Sequence, residues 1–209
     1  MGLTEELQEM LNNMCISIND ALPDMDEFSR WKMFTERMLF LDLYVDANVL
    51  TLERMILAFN MEDKDKPVEE RKPIKLFLQN DGGLLQMAYS LIDIIQASKT
   101  PVYTYDLGVC SSAAALIFLS APRRFMFRNS TVLIHQGSAE FTGDAGKILD
   151  ATQSYKEMLK KMNNYILQRT NIPKAMLTKK RNDDWTLSAE ECIKYQVATD
   201  IVENLEDII

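Results

Sequence analysis

Two adjacent serines, one histidine, a pair of aspartates and a Gly-Gly turn carry the chemistry open to this chain. Ser111 and Ser112 stand between a β-patterned run, residues 102–107, and a wholly apolar run, residues 113–119. A serine at a strand-to-helix corner lies where the unpaired N–H groups of a helix N-terminus point outward. It can serve there as a nucleophile with an oxyanion site beside it. The plainer role for either serine is to cap a buried helix. His135 is the only histidine, and so the one side chain whose ordinary pKa suits a general base near neutrality. At the end of an apolar run it fits a structural role as well. Asp183 and Asp184 lie in a polar stretch that orients an imidazole or simply makes a surface turn. Asn80-Asp81-Gly82-Gly83 is a tight turn that also offers backbone donors. Together these parts make up a nucleophile, a base, an orienting acid and an amide donor, in the chain order serine, histidine, aspartate. A G-x-S-x-G elbow is absent.

The elements that must position these residues follow from hydrophobic periodicity. Strands are expected over residues 38–43, 74–79, 102–107, 123–127 and 131–135, and helices over 46–61, 84–98, 113–119 and 147–168. Pro173 suits the first turn of a further short helix, and Ser188-Ala189-Glu190-Glu191 has the form of a capping box opening a last one. Strand and helix alternate, which favours an α/β fold with a largely parallel sheet and right-handed crossovers. In such sheets ligands sit beyond the C-terminal ends of the strands. The Gly82-Gly83 turn and the Ser111-Ser112 corner both fall there, in consecutive units. Ahead of them, residues 3–22 carry Leu3, Leu7, Leu11 and Met14 at helical spacing, and the stretch 23–27 breaks that pattern. The loop 62–73 is charged and carries no motif.

Bulk properties narrow the function. The 209 residues, 47% of them hydrophobic, suffice for one large domain or for one domain with an appendage. A net charge of −8 speaks against a general nucleic-acid binder. Three widely spaced cysteines, Cys15, Cys110 and Cys192, form no zinc-ligand pattern and point to a reducing compartment. The N-terminus lacks a signal-peptide pattern, and the longest apolar run is too short to span a bilayer. A cytoplasmic protein without membrane association is the expectation.

From Glu36 to Ile201 the chain resembles the Clp protease proteolytic subunit family, ClpP. The matching stretches are Glu36-Arg37 with Phe40-Leu41, Gly82-Gly83, residues 108–115, Arg124-Phe125, Asn129-Ser130, residues 133–136, and Asp184 with Leu187-Ser188-Ala189. The resemblance implies a crotonase-like ββα superhelix with a long protruding helix for oligomer contacts. It divides the chain into an N-terminal helical extension, residues 1–34, and a peptidase domain, residues 35–209. It also implies a serine endopeptidase that degrades unfolded polypeptide inside a self-compartmentalised oligomer. Carried over, Ser112 is the nucleophile, His135 the base and Asp184 the orienting acid, while Gly83 and Ala113 give the oxyanion-hole amides. The implied partners are polypeptide substrates, copies of the same chain in a heptameric ring or stacked double ring, and a separate AAA+ unfoldase. Metal and cofactor are not needed, and no P-loop is present.

Three positions depart from the family pattern. Ala113 replaces the usual methionine, Asp81 the usual proline and Asp183 a common arginine. Residues 1–34 do not match the family's pore-loop segment. These departures bear on ATPase partnership, gating and ring stacking, and they keep a second role open, that of a catalytically silent ring or scaffold subunit. An acyl-CoA enzyme of the same superfold is a more distant alternative, since it would not require the serine, histidine and aspartate together.

Overall fold

The structure, a computed structural model, describes residues 25–180 and 182–208. The helix expected over residues 3–22 lies outside them. The chain falls into two units divided after Met38. In the first, helix α1 (Met25–Thr35) runs where the sequence suggested only the end of a break. It exposes Phe28 and Trp31, whose rings lie 6.4 Å apart.

The remainder alternates as the periodicity predicts: β1 (Met38–Leu41), α2 (Val49–Glu62), β2 (Ile74–Asn80), α3 (Leu85–Ala97), β3 (Val102–Ser111) and α4 (Ala113–Phe118). Then follow β4 (Arg124–Phe127), β5 (Thr131–Ile134), α5 (Ala145–Arg169), α6 (Lys174–Lys180), β6 (Trp185–Leu187), α7 (Ala189–Lys194) and β7 (Asp200–Val202). The sheet order is β1-β2-β3-β4-β7, with β5 pairing both β3 and β6. The pairs β2–β3, β3–β4, β3–β5 and β4–β7 are parallel. The expected α/β architecture is the one observed. Helix α3 packs against both α2 and α4, and α4 against β3; the apolar stripes of α2 and α3 bury Ile56, Leu91 and Ile95. A row of rings, Phe40, Phe77, Tyr105 and Phe125, stacks across β1 to β4 at centroid spacings of 5.2, 4.8 and 4.7 Å. These are offset-stacking distances, in the range where ring pairs add to simple burial.

The strand that leads to the serines is bent. Leu78 stands opposite Asp106, but Asn80 stands opposite Cys110. One residue of β2 therefore faces three of β3, and Gly108 sits within the bulge. The bend changes partners: residues 104–106 of β3 pair with β4, and residues 109–111 pair with β5. A bulge re-aims a strand in this way. Here it turns the serine corner toward β5 and so toward His135.

Two arginines, Arg124 buried and Arg169 half-buried, close the far end of α4. Arg169 donates to the carbonyls of Leu119, Ser120 and Ala121, and Arg124 donates to those of Ala121, Gln196 and Val197. Burial, with Arg169 nearby, lowers the Arg124 pKa to about 10. Helix C-termini leave carbonyls unpaired, and these guanidinium groups satisfy them. The Ser188 capping box is present as predicted, its hydroxyl taking the Glu191 N–H and the Glu191 carboxylate the Ser188 N–H. Two strands escaped the sequence pattern: β6, read as a polar turn between helices, and β7.

Candidate active site

Ser112 occupies the residue between β3 and α4. Its backbone has φ 55° and ψ −121°, a left-handed conformation that costs a non-glycine residue about 1–3 kcal/mol. Its side chain makes no capping bond to α4, so the plainer capping role is not the one it plays. The corner is held by the Ser112 N–H bond to the Leu133 carbonyl, 2.9 Å. This is the sharp strand-turn-helix geometry that a G-x-S-x-G sequence builds, made without that sequence. The two positions where the motif has glycine are Cys110 and Ala114, both fully buried, and both small enough for the chain to turn.

Gly82 packs against this corner. A Cβ on Gly82 would meet the Ser111 carbonyl oxygen at 2.7 Å, the Ser112 Cβ at 2.8 Å and the Ala113 nitrogen at 3.1 Å. Its φ of 104° also suits only glycine. The next residue is fixed from the other side. Val45 bridges to Gly83, its N–H donating to the Gly82 carbonyl and its carbonyl accepting from the Leu84 N–H. The Gly83 N–H takes no part in that bridge, and the Ala113 N–H opens α4 with no intrahelical acceptor. Among the described residues both expected oxyanion donors thus remain unbonded, on two segments in van der Waals contact. Helix α4 has only six residues, so its contribution is the local Ala113 N–H rather than a long macrodipole.

His135 and Asp184, the expected base and acid, come from a different pairing. β5 and β6 run antiparallel with Ile134 opposite Trp185. One step further along that register, His135 faces Asp184, and His135 Nδ1 lies 3.1 Å from Asp184 Oδ1. Asp183 points elsewhere, to Lys180 Nζ at 3.2 Å, and does not compete for the ring. The register therefore separates the two aspartates, which the sequence could rank only by resemblance. The Asp184 side chain is 76% exposed and that of His135 29%. His135 Nε2 is buried with no hydrogen-bond partner. The structure brings Ser112 together with Gly83 and Ala113, and His135 together with Asp184. It does not join the two sets by a hydrogen bond from Ser112. Among the described residues no cluster of three or more histidines, cysteines, aspartates or glutamates can hold a metal ion.

One buried acid near the corner was not anticipated. Asp106 lies at the bulge of β3, fully buried. Its Oδ1 accepts from the Gly108 N–H at 3.0 Å, and its Oδ2 has no hydrogen-bond partner. Burial pushes its pKa up to about 7, against the smaller opposing pull of the Gly108 and Cys110 hydrogen bonds. An acid inside a β-patterned run was the available signal.

Comparison with known proteins bears on the family and the fold. Residues 25–205 match the family model for Clp protease. The chain belongs to the Clp protease family. That is a family of serine proteases. The chain is 31% identical to ATP-dependent Clp protease proteolytic subunit 2 of Treponema pallidum over 66% of its own length and 70% of the relative's. Against the subunit of the same name in Borreliella burgdorferi it is 31% identical, covering 78% of this chain and 82% of that one. Among solved structures, a ClpP1 point mutant from Listeria monocytogenes superposes with a TM-score of 0.71 at 23% identity, covering 84% of this chain and 96% of the other. The likeness at that identity concerns the fold, and it is the ClpP fold expected from the sequence.

Proposed function

We propose that this Clp protease family member is a proteolytic subunit, a serine endopeptidase acting on unfolded polypeptide. The observation that carries the reading is the strained, uncapped Ser112 corner facing two unbonded backbone amides. Backbone strain at a nucleophile is retained where the surrounding structure over-determines it. In this mechanism Ser112 Oγ attacks the scissile carbonyl while His135 Nε2 takes its proton. The Asp184 carboxylate accepts from His135 Nδ1–H, fixing the tautomer and favouring the imidazolium. The N–H groups of Gly83 and Ala113 bind the tetrahedral oxyanion, and losing one such donor costs about 10²–10³ in rate. His135 then protonates the leaving amine, and water, activated by the same imidazole, hydrolyses the acyl-enzyme.

The proposal extends to organisation. Residues 35–209 form the peptidase domain and residues 1–34 an extension. The relatives' names describe subunits of an ATP-dependent protease, and ATP here would be consumed by a separate AAA+ unfoldase. The N-terminal half of α5 leaves Ile148 and Leu149 exposed, Leu149 by 70%, which suits contact with further copies in a ring. A ring mass in native mass spectrometry is expected; a monomer at micromolar concentration would refute obligate assembly.

A second reading, a silent ring subunit, draws support from the unpartnered His135 Nε2 and the exposed Asp184. Catalytic hydrogen bonds are often unformed in a free enzyme and tighten on binding, so the first reading is preferred. Hydrolysis of an unfolded fluorogenic casein tests it. Wild type is expected to degrade the casein, and Ser112→Ala, folded and assembled alike, to be inert. Equal hydrolysis by both proteins would overturn the proposal.

A further inference from the structure

Asn80 ends β2 and is buried, 4% exposed. Its side chain uses both ends. The Oδ1 accepts from the Gly82 N–H at 2.8 Å. The Nδ2 donates to the carbonyl of Leu43 and, at 3.4 Å, to that of Leu41. Those carbonyls belong to the segment that runs on to Val45, and Val45 bonds the Gly82 carbonyl and the Leu84 N–H. Three backbone polar groups flanking the Gly83 N–H are therefore occupied: Gly82 N–H by Asn80, Gly82 carbonyl and Leu84 N–H by Val45. The Asn80 amide ties together both strands of this clamp. It also stands opposite Cys110 in the β2–β3 register, two residues before Ser112.

We infer that Asn80 is a positioning residue for the oxyanion donor at Gly83, acting through the Gly82 turn and the Val45 bridge. This rests on the serine-peptidase reading above. A neutral amide is required because the site presents one N–H to an acceptor and two carbonyls to a donor. An aspartate keeps the first contact and turns a carboxylate oxygen on the two carbonyls. A serine can accept from Gly82 N–H but is too short to reach Leu43. Either change leaves the turn in place and loosens the direction of the Gly83 N–H. Oxyanion donors act in the transition state, where a misaimed amide lowers the rate of the chemical step and leaves ground-state binding nearly intact.

The test is saturation kinetics of phosphonylation by a fluorophosphonate, on the full chain in its assembled state. Wild type is compared with Asn80→Asp, Asn80→Ser and a control in the core of α3. The control is Ile95→Val or Ile95→Ala, whichever matches the Asn80 variants in thermal midpoint. Positioning predicts that the maximal phosphonylation rate of both Asn80 variants falls about 10- to 100-fold below the matched control. It also predicts that the half-saturating concentration moves by less than about threefold. Should one Asn80 variant fail to fold, the other carries the comparison. Asn80 variants that react as fast as the matched control, or that lose only binding, would overturn the positioning role while wild-type labelling leaves the peptidase reading standing. Absence of any Ser112-dependent adduct in folded wild type would remove that reading, and this inference with it.

Discussion

Residues 110–111 and 113–121 on either side of Ser112 are buried without exception, whereas the carboxylate of Asp184 is 76% exposed just before a three-residue strand. The Ser112 half is thus made of core: a bulged central strand, a helix whose end is closed by the buried Arg124 and the half-buried Arg169, and a glycine locked against the corner. The base half is made of rim. It has one antiparallel register, β5 on β6, to set the distance from His135 to Asp184. The buried His135 Nε2 has no hydrogen-bond partner. Strain at Ser112 is sustained by many packed neighbours, so under the proposed mechanism the oxyanion geometry is pre-formed. Alignment of the imidazole depends on few contacts, which under the proposed mechanism makes this half the place where activity would be set or lost.

Substitutions can break that contrast, and the largest effect is expected at the rim. Asp184→Asn should lower peptide hydrolysis about 10⁴-fold through the wrong imidazole tautomer. The melting curve should hardly change, because an exposed ion pair contributes only about 0–1 kcal/mol. Parallel kinetics and calorimetry check both parts. The core half should respond the other way. Gly82→Ala puts a methyl group on the Ser111 carbonyl and the Ser112 Cβ at a φ of 104°. A loss of about 4 kcal/mol is expected from combined overpacking and strain, read as a lowered denaturant midpoint.

Asp106 sharpens the comparison through pH. Its carboxyl, raised to about 7 in the folded chain, binds a proton that the unfolded chain has already released above its ordinary value of 3.8. Stability from this group is therefore present at low pH, falls as pH rises toward about 7, and levels off above that. Between pH 5 and 7.5 the fall should amount to about 3 kcal/mol in wild type and vanish in Asp106→Asn. Denaturation at several pH values measures the difference. The smallest effect is expected at Asp183. Its exposed pairing with Lys180 contributes about 0.5 kcal/mol or less, and Asp183→Asn should keep the wild-type hydrolysis rate.

The sequence made the core half more legible than the rim. The run into Ser112 announced itself because a β-branched and aromatic strand passes directly into a long apolar helix pattern. The Ser188 cap was explicit in its four residues. The elbow itself was hidden, since Cys110 and Ala114 stand where a pattern search looks for glycine and the needed room comes from Gly82, far away in sequence. β6 was hidden for a different reason. Trp185-Thr186-Leu187 is too short to show a period, and its partner strand lies some fifty residues earlier, so Asp184 looked like part of a turn. Only the register separates it from Asp183. Helix α1 went unseen because Pro23 and the acids around it read as a break, yet a helix begins two residues later.

The central claim is that Ser112 is an active nucleophile on a pre-formed corner. Reaction of the folded, assembled protein with a fluorophosphonate, followed by intact mass and peptide mapping, tests it most directly. The expected result is one adduct per chain, mapped to Ser112, absent from Ser112→Ala and strongly slowed in His135→Ala. A folded wild-type protein that gains no adduct, or a Ser112→Ala protein that gains the same one, would contradict the account.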